Sequence, residues 1–234
     1  KATKVPGNPK FYNLSKEEVH DLCNVNYMER LHDLSDVPHI FNPKFFPTDK
    51  EREWAKKTRK KIKSRNIILW ALSGSSVHKV YPWTDTVITK VLKYRPDACF
   101  ITVGDDICQM LEVGWEDEKR VITKSGKWSI RETLSFLEHC SIVVGPETGI
   151  LNAASTLDCC KIVLLSHSSK ENLSKHWKNT SSLEPEEYDN FCFPCHTMHY
   201  GFNTCYRDDD SGGAMCAAKI NSNDVYNEIV KNLK

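Results

Sequence analysis

The chain has 234 residues, of which 40% are hydrophobic and 27% are charged, with a formal net charge of +1. These values are typical of a folded globular protein and exclude a disordered or collagen-like chain. The sequence contains no apolar run that approaches the roughly 20 residues of a membrane-spanning helix. Because a pervasive nucleic-acid-binding surface needs a larger basic excess, nucleic acid is a disfavoured partner.

The first 65 residues carry the basic excess of the chain, with 15 Lys or Arg against 9 Asp or Glu. Most of it lies in residues 48–65, which predict a helix with Thr48 as its N-cap, acidic side chains in its first turns and basic ones in its last. A solvated helix at the edge of a domain is the simpler interpretation of this charge run. Contact with nucleic acid or with an anionic membrane is the alternative.

From Asn66 onwards, short apolar runs alternate with helical patterns. This alternation predicts an α/β fold, namely a three-layer αβα Rossmann-like domain with a mostly parallel sheet. Ligands of such sheets bind beyond the carboxyl ends of the strands, so the loops that follow the strands are the candidate site. We predict strands at 67–72, 99–103, 120–123, 141–145 and 161–166, and helices at 84–94, 129–139, 149–157 and 222–233.

The loop after the first predicted strand suits a phosphate group. Gly74 permits a tight turn, Ser75 and Ser76 offer hydroxyl groups, and Lys79 offers a positive charge. The loop matches neither the P-loop nor the dinucleotide-binding glycine pattern. A simple turn without a ligand is therefore the alternative. We expect the neighbouring His78 to lie on the surface.

The loop after the fourth predicted strand leads into a helix built from small residues. Pro146 ends the strand, and Thr148 and Gly149 begin the helix, whose positive end favours a diphosphate. A carboxylate beside phosphates is unexpected because like charges repel, so Glu147 is expected to hold sugar hydroxyls, a cation or Lys79. A plain strand-to-helix turn with Thr148 as N-cap is the alternative.

In this order, the two loops and a segment between them resemble the lipopolysaccharide heptosyltransferase family, glycosyltransferase family 9. Residues 74–82 match the pattern G-[ST]-S-x-x-K-x-[WY]-P, and residues 145–154 match G-P-[DE]-[ST]-G-x-x-[HN]-x-A. Residues 125–132 are similar to the family's G-K-x-S-L-x-E segment. The resemblance covers roughly residues 41–234.

The resemblance implies one half of a GT-B fold, in which two Rossmann-like domains face each other across a cleft. The half represented here would bind a nucleoside-diphosphate sugar, typically ADP-heptose, for transfer to lipopolysaccharide or another glycan acceptor, with no cofactor required for transfer. The implied catalytic residues are Lys79 and Glu147. The implied donor-binding residues are Ser75, Ser76, Lys79, Gly104, Asp105, Gly126, Lys127, Ser129, Glu147, Thr148, Gly149 and Asn152.

Two positions depart from the family pattern and leave the donor open. Glu147 stands where the family usually has Asp, and Asn152 stands where it usually has His. We expect residues 1–40 to be a linker or the tail of an N-terminal acceptor domain, because too few residues precede the first strand for a whole domain. The glycan or lipid-linked acceptor would then bind through that missing domain. The expected location is the cytoplasm, including the inner face of the membrane.

Four cysteines near the C-terminus form a candidate metal site. Cys192 and Cys195 have the C-x-x-C spacing of metal ligands, and Cys205 and Cys216 would complete a tetrahedral set. Because the spacing matches no standard zinc finger, a structural zinc site, one or two disulfides, and free thiols all remain open.

Two classes of function compete at this stage. The loop patterns favour the donor-binding domain of a glycosyltransferase. The alternative is a non-catalytic, zinc-stabilised Rossmann-like module that binds nucleic acid or anionic lipid through the basic helix. A continuous basic face that joins residues 56–65 to the cysteine cluster would favour this second class.

Overall fold

The computed structural model describes residues 14–39, 43–74, 76–186, 192–196 and 205–233. These ranges contain six strands: β1 Asn66–Ala71, β2 Ala98–Val103, β3 Val121–Thr123, β4 Ile142–Pro146, β5 Cys160–Leu164 and β6 Thr180–Leu183. The α-helices are α1 Lys16–Cys23, α2 Tyr27–Ser35, α3 Asp49–Lys61, α4 Thr84–Tyr94, α5 Ile130–Phe136, α6 Gly149–Ala154, α7 Lys170–Leu173, α8 Met215–Ala218 and α9 Ser222–Asn232. None of the helices in these ranges combines the length and the apolar character needed to cross a bilayer.

The six strands form one sheet in the order β3-β2-β1-β4-β5-β6, and every pair is parallel. The chain runs outward from β1 through β2 to β3, and then returns to the other side of β1 to add β4. The strand order therefore reverses between β1 and β4, where Leu69 is in register with Val143. A reversal of this kind opens a crevice at the carboxyl ends of the strands.

Helices cover both faces of the sheet because side chains of β1 alternate between two apolar clusters. Ile68 and Trp70 pack in one cluster with residues of α4 and α9. Ile67 and Leu69 pack in the other with residues of α3, α5 and α6. All four side chains have no exposed surface, as expected for central strands of a parallel sheet. The predicted three-layer αβα architecture is confirmed.

The predicted elements match the structure closely from residue 48 to residue 164. Helix α3 begins at Thr48 with a capping box, α4 has the predicted bounds, and α5 begins at Ser129 with the predicted capping box. Strand β6 was missed because its sequence, Thr-Ser-Ser-Leu, lacks the apolar side chains that indicate a strand. Its side chains are only half-buried because β6 lies at the edge of the sheet.

Residues 14–39 pack beside α7 through buried and half-buried amide groups. The Asn172 side-chain nitrogen donates to the carbonyl oxygens of Cys23 at 2.9 Å and Val25 at 2.8 Å. Asn26 is 1% exposed, and its side-chain oxygen caps α2. Its side-chain nitrogen lies 3.4 Å from the carbonyl oxygen of Glu171. This segment therefore contacts the sheet domain directly, while a domain boundary at residue 40 stays a prediction.

The capping box of α5 generates the first testable prediction. Ser129 N–H donates to Glu132 at 2.8 Å, and Glu132 N–H donates to Ser129 Oγ at 3.2 Å. We expect Ser129→Ala to lower the free energy of unfolding by about 1 kcal/mol in urea denaturation, because the helix loses its N-cap. Ser129→Thr, which keeps a capping hydroxyl, is the matched control. Equal stability of all three proteins would show that the box contributes nothing.

Candidate functional site

A cavity of about 690 Å³ opens at the carboxyl ends of β1, β2, β3 and β4. Its position coincides with the reversal of strand order, where ligands of open α/β sheets bind. Loops that follow all four strands contribute to its wall. The lining residues are Ser73, Gly74, Lys79, Val103, Gly104, Asp105, Asp106, Cys108, Gly126, Trp128, Ile130, Thr133, Glu147, Thr148, Gly149, Ile150 and Asn152.

Lys79 places a half-buried ammonium group in this cavity. It ends a 3₁₀ turn at Val77–Lys79, and its Nζ donates to the backbone carbonyl of Glu147 at 2.9 Å. Gly74 makes room for the side chain, because a Cβ there would lie 2.6 Å from Lys79 Cδ. Burial lowers the pKa of Lys79, and the charge of Glu147 acts in the opposite direction. A ligand anion would relieve the cost of burying this cation.

Helix α6 begins beside the same ammonium group. Thr148 is its N-cap, and its Oγ1 accepts from Leu151 N–H at 3.3 Å. The amides of Gly149 and Ile150 lie in the first turn, where an N–H group has no intrahelical acceptor. Apart from the chain neighbours of Gly149 and the backbone of α6, no atom of the described residues lies within 4 Å of the position that a Cβ at Gly149 would take, so the backbone there is open to a ligand. The Lys79 ammonium and the start of α6 thus line one cavity.

The Glu147 carboxylate is held by the loop after β5. It accepts from the backbone N–H groups of Ser166 at 2.8 Å, His167 at 3.1 Å and Ser168 at 3.0 Å. The Ser166 hydroxyl donates a further bond of 2.5 Å. The side chain is 4% exposed. Glu147 therefore joins two loops: its carbonyl holds Lys79, and its carboxylate holds residues 166–168.

The pKa of Glu147 reflects these partners. Burial alone would raise it, but the charge of His167 and the hydrogen bonds from His167 and Ser166 outweigh burial and hold the pKa well below its ordinary value of 4.5. His167 Nδ1 lies 3.3 Å from Glu147 Oε2, an ion pair whenever the imidazole is protonated. The carboxylate is thus the favoured form of this buried group.

The expectation that His78 lies on the surface is wrong. Its side chain is buried at 2% exposure, and its Nδ1 lies 2.7 Å from Ser76 Oγ. The His78 ring packs at right angles to the His167 ring, with a centroid distance of 6.1 Å. The burial escaped sequence analysis because the loop of His78 is polar, whereas the surface that covers it comes from distant parts of the chain.

The far wall of the cavity depends on two glycines. Gly126 has a φ of +65°, and a Cβ there would overlap the Asp106 carboxylate. A Cβ at Gly104 would overlap the Cys108 side chain. The two loops are joined by a hydrogen bond of 3.0 Å from Gly126 N–H to the Gly104 carbonyl. Asp106 lines the cavity but was missed, because an acidic side chain in a turn carries no specific signal.

Glu112 is a second buried carboxylate that sequence analysis missed. It is 6% exposed, and its Oε1 accepts from the hydroxyl groups of Thr102 at 2.6 Å and Ser125 at 2.7 Å. The same oxygen lies 3.2 Å from Lys124 N–H and 3.1 Å from Ser125 N–H. Glu112 therefore fixes the loop after β3 in the position that leads to Gly126.

The predicted donor-binding residues divide into two groups. Those that line the cavity are Lys79, Gly104, Asp105, Gly126, Glu147, Thr148, Gly149 and Asn152. Three others make contacts elsewhere: Ser76 with His78, Lys127 Nζ with Thr123 at 3.4 Å, and Ser129 in the capping box of α5. Ser75 lies outside the described residues.

Asn152 connects the cavity to the N-terminal segment. It lies on α6, and its Oδ1 accepts from the Tyr27 hydroxyl at 3.3 Å. Tyr27 is the first residue of α2. The Asn152 amide is therefore held by a side chain from the segment before residue 40.

The four predicted metal-ligating cysteines form no disulfide with one another. None of the ten cysteines of the chain takes part in a disulfide in the structure. Burial raises the pKa of Cys216 to about 12, with smaller contributions from the charges of Cys192, Cys195 and Cys205. No three of these four sulfur atoms lie within 4.8 Å of one another, so they would have to move closer to bind one ion. The disulfide alternative is not realised here.

Comparisons with known proteins relate this fold to glycosyltransferases. Escherichia coli ADP-heptose lipopolysaccharide heptosyltransferase II superposes with a TM-score of 0.61 at 11% identity, covering 85% of this chain and 56% of that one. A family 9 glycosyltransferase from Veillonella parvula superposes with a TM-score of 0.64 at 13% identity, covering 87% and 57%. The iron-containing dodecameric glycosyltransferase TibC from enterotoxigenic E. coli has a TM-score of 0.52 at 15% identity, covering 73% and 45%.

These similarities concern the fold. The sequence matches no protein-family model and no curated protein. The chain spans a little over half the length of the heptosyltransferase II and V. parvula structures. The six-stranded parallel sheet with helices on both faces is the heptosyltransferase-like fold of family 9 glycosyltransferases.

The Glu147 carboxylate generates a prediction on stability and its pH dependence. We expect Glu147→Gln to lower the free energy of unfolding at neutral pH by about 2 kcal/mol, because one amide oxygen cannot replace two carboxylate oxygens that accept four hydrogen bonds. Because the folded pKa lies below the unfolded one, the stabilisation by wild-type Glu147 is fully present above the unfolded value and is lost as the pH falls toward the folded value.

Denaturation in urea from pH 7 down to pH 3 measures both effects. The stability of the Glu147→Gln variant should fall less steeply with acid than that of the wild type. Glu138→Gln, a change at an exposed ion pair with Arg52, is the matched control and should differ little from the wild type. Parallel curves for wild type and Glu147→Gln would contradict the assignment.

Proposed function

We propose that this chain is the donor-binding domain of a glycosyltransferase and binds a nucleoside-diphosphate sugar. The observation that carries the proposal is the half-buried Lys79 ammonium, held by the Glu147 carbonyl beside the start of α6. The heptosyltransferase-like fold supports the proposal as well. The crevice that the reversed strand order opens lies at the same end of the sheet as Lys79. Donor binding is the function proposed for these 234 residues.

The diphosphate would lie between Lys79 and the first turn of α6. Within the described part of the chain, Lys79 Nζ makes one hydrogen bond, to the Glu147 carbonyl, whereas an ammonium group has three donors to offer. The amides of Gly149 and Ile150 add donors at the positive end of the helix. Thr148 uses its oxygen as an acceptor for Leu151, so its hydroxyl proton remains for the ligand.

The nucleoside would lie along the opposite wall. Trp128 and the largely exposed Ile130 offer an apolar surface to a base, beside the backbone of Gly104 and Gly126. The Asp106 carboxylate suits ribose hydroxyl groups as an acceptor. TibC was solved in complex with ADP-D-β-D-heptose, and E. coli heptosyltransferase II is named for ADP-heptose. We therefore propose an ADP-heptose-like donor.

The transfer chemistry needs positive charge at the leaving group. When the bond between the sugar and the diphosphate breaks, its electron pair stays on the diphosphate oxygen, and Lys79 and the α6 amides stabilise that charge. The attacking hydroxyl would belong to a glycan or lipid-linked acceptor and would lose its proton to a general base. Glu147 contributes by positioning Lys79, since its own carboxylate is engaged by residues 166–168.

The alternative of a nucleic-acid or lipid module is not favoured. Two basic side chains of α3 are paired with acidic ones, Lys57 with Glu53 and Arg52 with Glu138. The same helix packs into the domain, because the Trp54 ring meets Trp128 edge-on with a centroid distance of 5.1 Å. Helix α3 therefore belongs to the layer that supports the cavity wall.

Removal of the Lys79 charge tests the proposed donor site. We expect Lys79→Ala to weaken ADP binding by about ten- to a hundredfold in isothermal titration calorimetry, because a charge-assisted hydrogen bond is lost. Lys90→Ala is the matched control, since Lys90 contacts Asn223 at 2.6 Å and does not line the cavity.

Circular dichroism should show that both lysine variants remain folded. A thermal-shift panel of ADP, UDP, GDP and CDP with the wild type then identifies the base, because a ligand that binds only the folded form raises the melting temperature. Equal ADP affinity of the wild type and Lys79→Ala would overturn the proposed site. If a nucleoside diphosphate other than ADP raises the melting temperature most, the proposed site stands and the donor carries that other base.

We also propose that Cys192, Cys195, Cys205 and Cys216 bind one structural metal ion. Four thiolates are a ligand set for zinc or iron. The charges of the other three cysteines contribute to the raised pKa of Cys216, which supports a common site, and the structural neighbour TibC contains iron. Metal binding would draw the sulfur atoms together and lower their pKa values, because the thiolate is the form that binds.

The metal content of protein purified under reducing conditions tests this site. We expect mass spectrometry to find about one fewer ion of zinc or iron per chain in Cys195→Ser/Cys216→Ser than in the wild type. Cys23→Ser, at a half-buried thiol of α1, is the control and should leave the content unchanged. Identical metal content in the double variant and the wild type would reject the four-cysteine site.

A further inference from the structure

A second group of metal-ligating side chains lies outside the cavity and the cysteine cluster. Glu29, His39 and His176 place one ligand atom each within 4.8 Å of the other two. Within the described ranges, no other group of three or more His, Cys, Asp or Glu side chains has its ligand atoms within 4.8 Å of one another. Its members come from two separate regions of the chain, the N-terminal segment and the segment after α7.

The local structure explains how these residues meet. Glu29 lies in the first turn of α2, and α2 ends at Asp36, a residue with a left-handed φ of 55°. The turn returns the chain over the helix, so the His39 ring packs on His32 with a centroid distance of 4.8 Å. His176 follows α7 and approaches His39 from the other side, at 5.1 Å between ring centroids.

Two imidazoles and one carboxylate are a ligand set that zinc uses when one coordination position stays open. The side chains are partly exposed, 30% for Glu29 and 39% for His176, so an ion can enter from solvent. A cavity of about 120 Å³ adjoins them and is lined in part by Tyr27, His39, His176 and Trp177. It has room for the water molecule that would complete the coordination.

Two existing contacts would be exchanged when an ion binds. His176 Nε2 lies 2.6 Å from Glu29 Oε1, so the proton between them must leave Nε2 before that nitrogen binds a metal. It can move to Nδ1 through solvent, because the imidazole stays neutral when its other nitrogen is the ligand. Lys175 lies 3.2 Å from Glu29 but 2.6 Å from Glu171, its partner one helical turn away. Lys175 therefore keeps a carboxylate partner after Glu29 turns to the ion.

From this geometry we propose that Glu29, His39 and His176 form a binding site for Zn²⁺ that joins the segment 14–39 to the segment after α7. Each ligand gives an electron pair to the ion, a water molecule fills the fourth position, and the proton on His176 Nε2 moves to Nδ1 of the same ring. No oxidation or reduction is involved.

Zn²⁺ at this position would also act on the rim of the large cavity. Tyr27 lies two residues before Glu29 at the start of α2, and its hydroxyl donates to Asn152 at 3.3 Å. An ion that fixes Glu29 therefore restrains Tyr27 and, through it, the side chain on α6. The site itself depends only on its three ligands and stands independently of the proposed donor.

Calorimetric titration of metal-free protein with Zn²⁺ tests this site. The titration uses the Cys195→Ser/Cys216→Ser background, so that the thiols do not contribute. We expect about one Zn²⁺ per chain, and at least about tenfold weaker binding when His39→Ala/His176→Ala is added. Glu29→Gln should also weaken binding, whereas Glu138→Gln and His139→Gln are matched controls that remove the same groups outside the site.

Cobalt supplies a second measurement that needs no cysteine variant. Co²⁺ bound through nitrogen and oxygen lacks the strong near-ultraviolet charge-transfer absorption of a cobalt thiolate, so the two sites are distinguished in the wild type. We expect His39→Ala/His176→Ala to lose visible absorption of the wild type, while the near-ultraviolet absorption of any cobalt thiolate stays unchanged. Unchanged Zn²⁺ affinity and unchanged bands in that double variant, or no Zn²⁺ binding to the thiol-deficient protein, would overturn the proposal.

Discussion

The candidate site depends on one residue that holds two loops at once. The Glu147 carbonyl accepts from Lys79, and the Glu147 carboxylate accepts from three successive amides and a hydroxyl after β5. A buried carboxylate is stable only when its oxygens are satisfied in this way. The loops after β1, β4 and β5 therefore take their relative positions from a single side chain and its backbone.

The sheet topology explains why these loops can meet. Strands β1 and β4 are neighbours although two other strands separate them in sequence, so the loop of Lys79 and the start of α6 emerge side by side. Parallel strands direct all such loops to one edge of the sheet. The fold thus brings together groups that are 68 residues apart, as the bond between Lys79 and Glu147 shows.

Much of the fold could be predicted from the sequence because the buried strands are continuous apolar runs. Ile67 to Ala71 have no exposed surface, and the capping residues Thr48 and Ser129 mark helix starts by local chemistry alone. Strand β6 has no such run and was missed. The parts of the site that were missed, His78 and Glu112, are polar groups buried by distant residues, and no local pattern reports such burial.

Glu112 also has a consequence for the way a ligand is received. Its buried oxygen gathers two hydroxyl groups and two amides, so the loop that leads to Gly126 is already ordered before anything enters. A rigid binding site loses little conformational entropy when a ligand binds, so more of the free energy of its contacts contributes to affinity. The same rigidity penalises molecules of the wrong shape, since the wall cannot reshape itself around them.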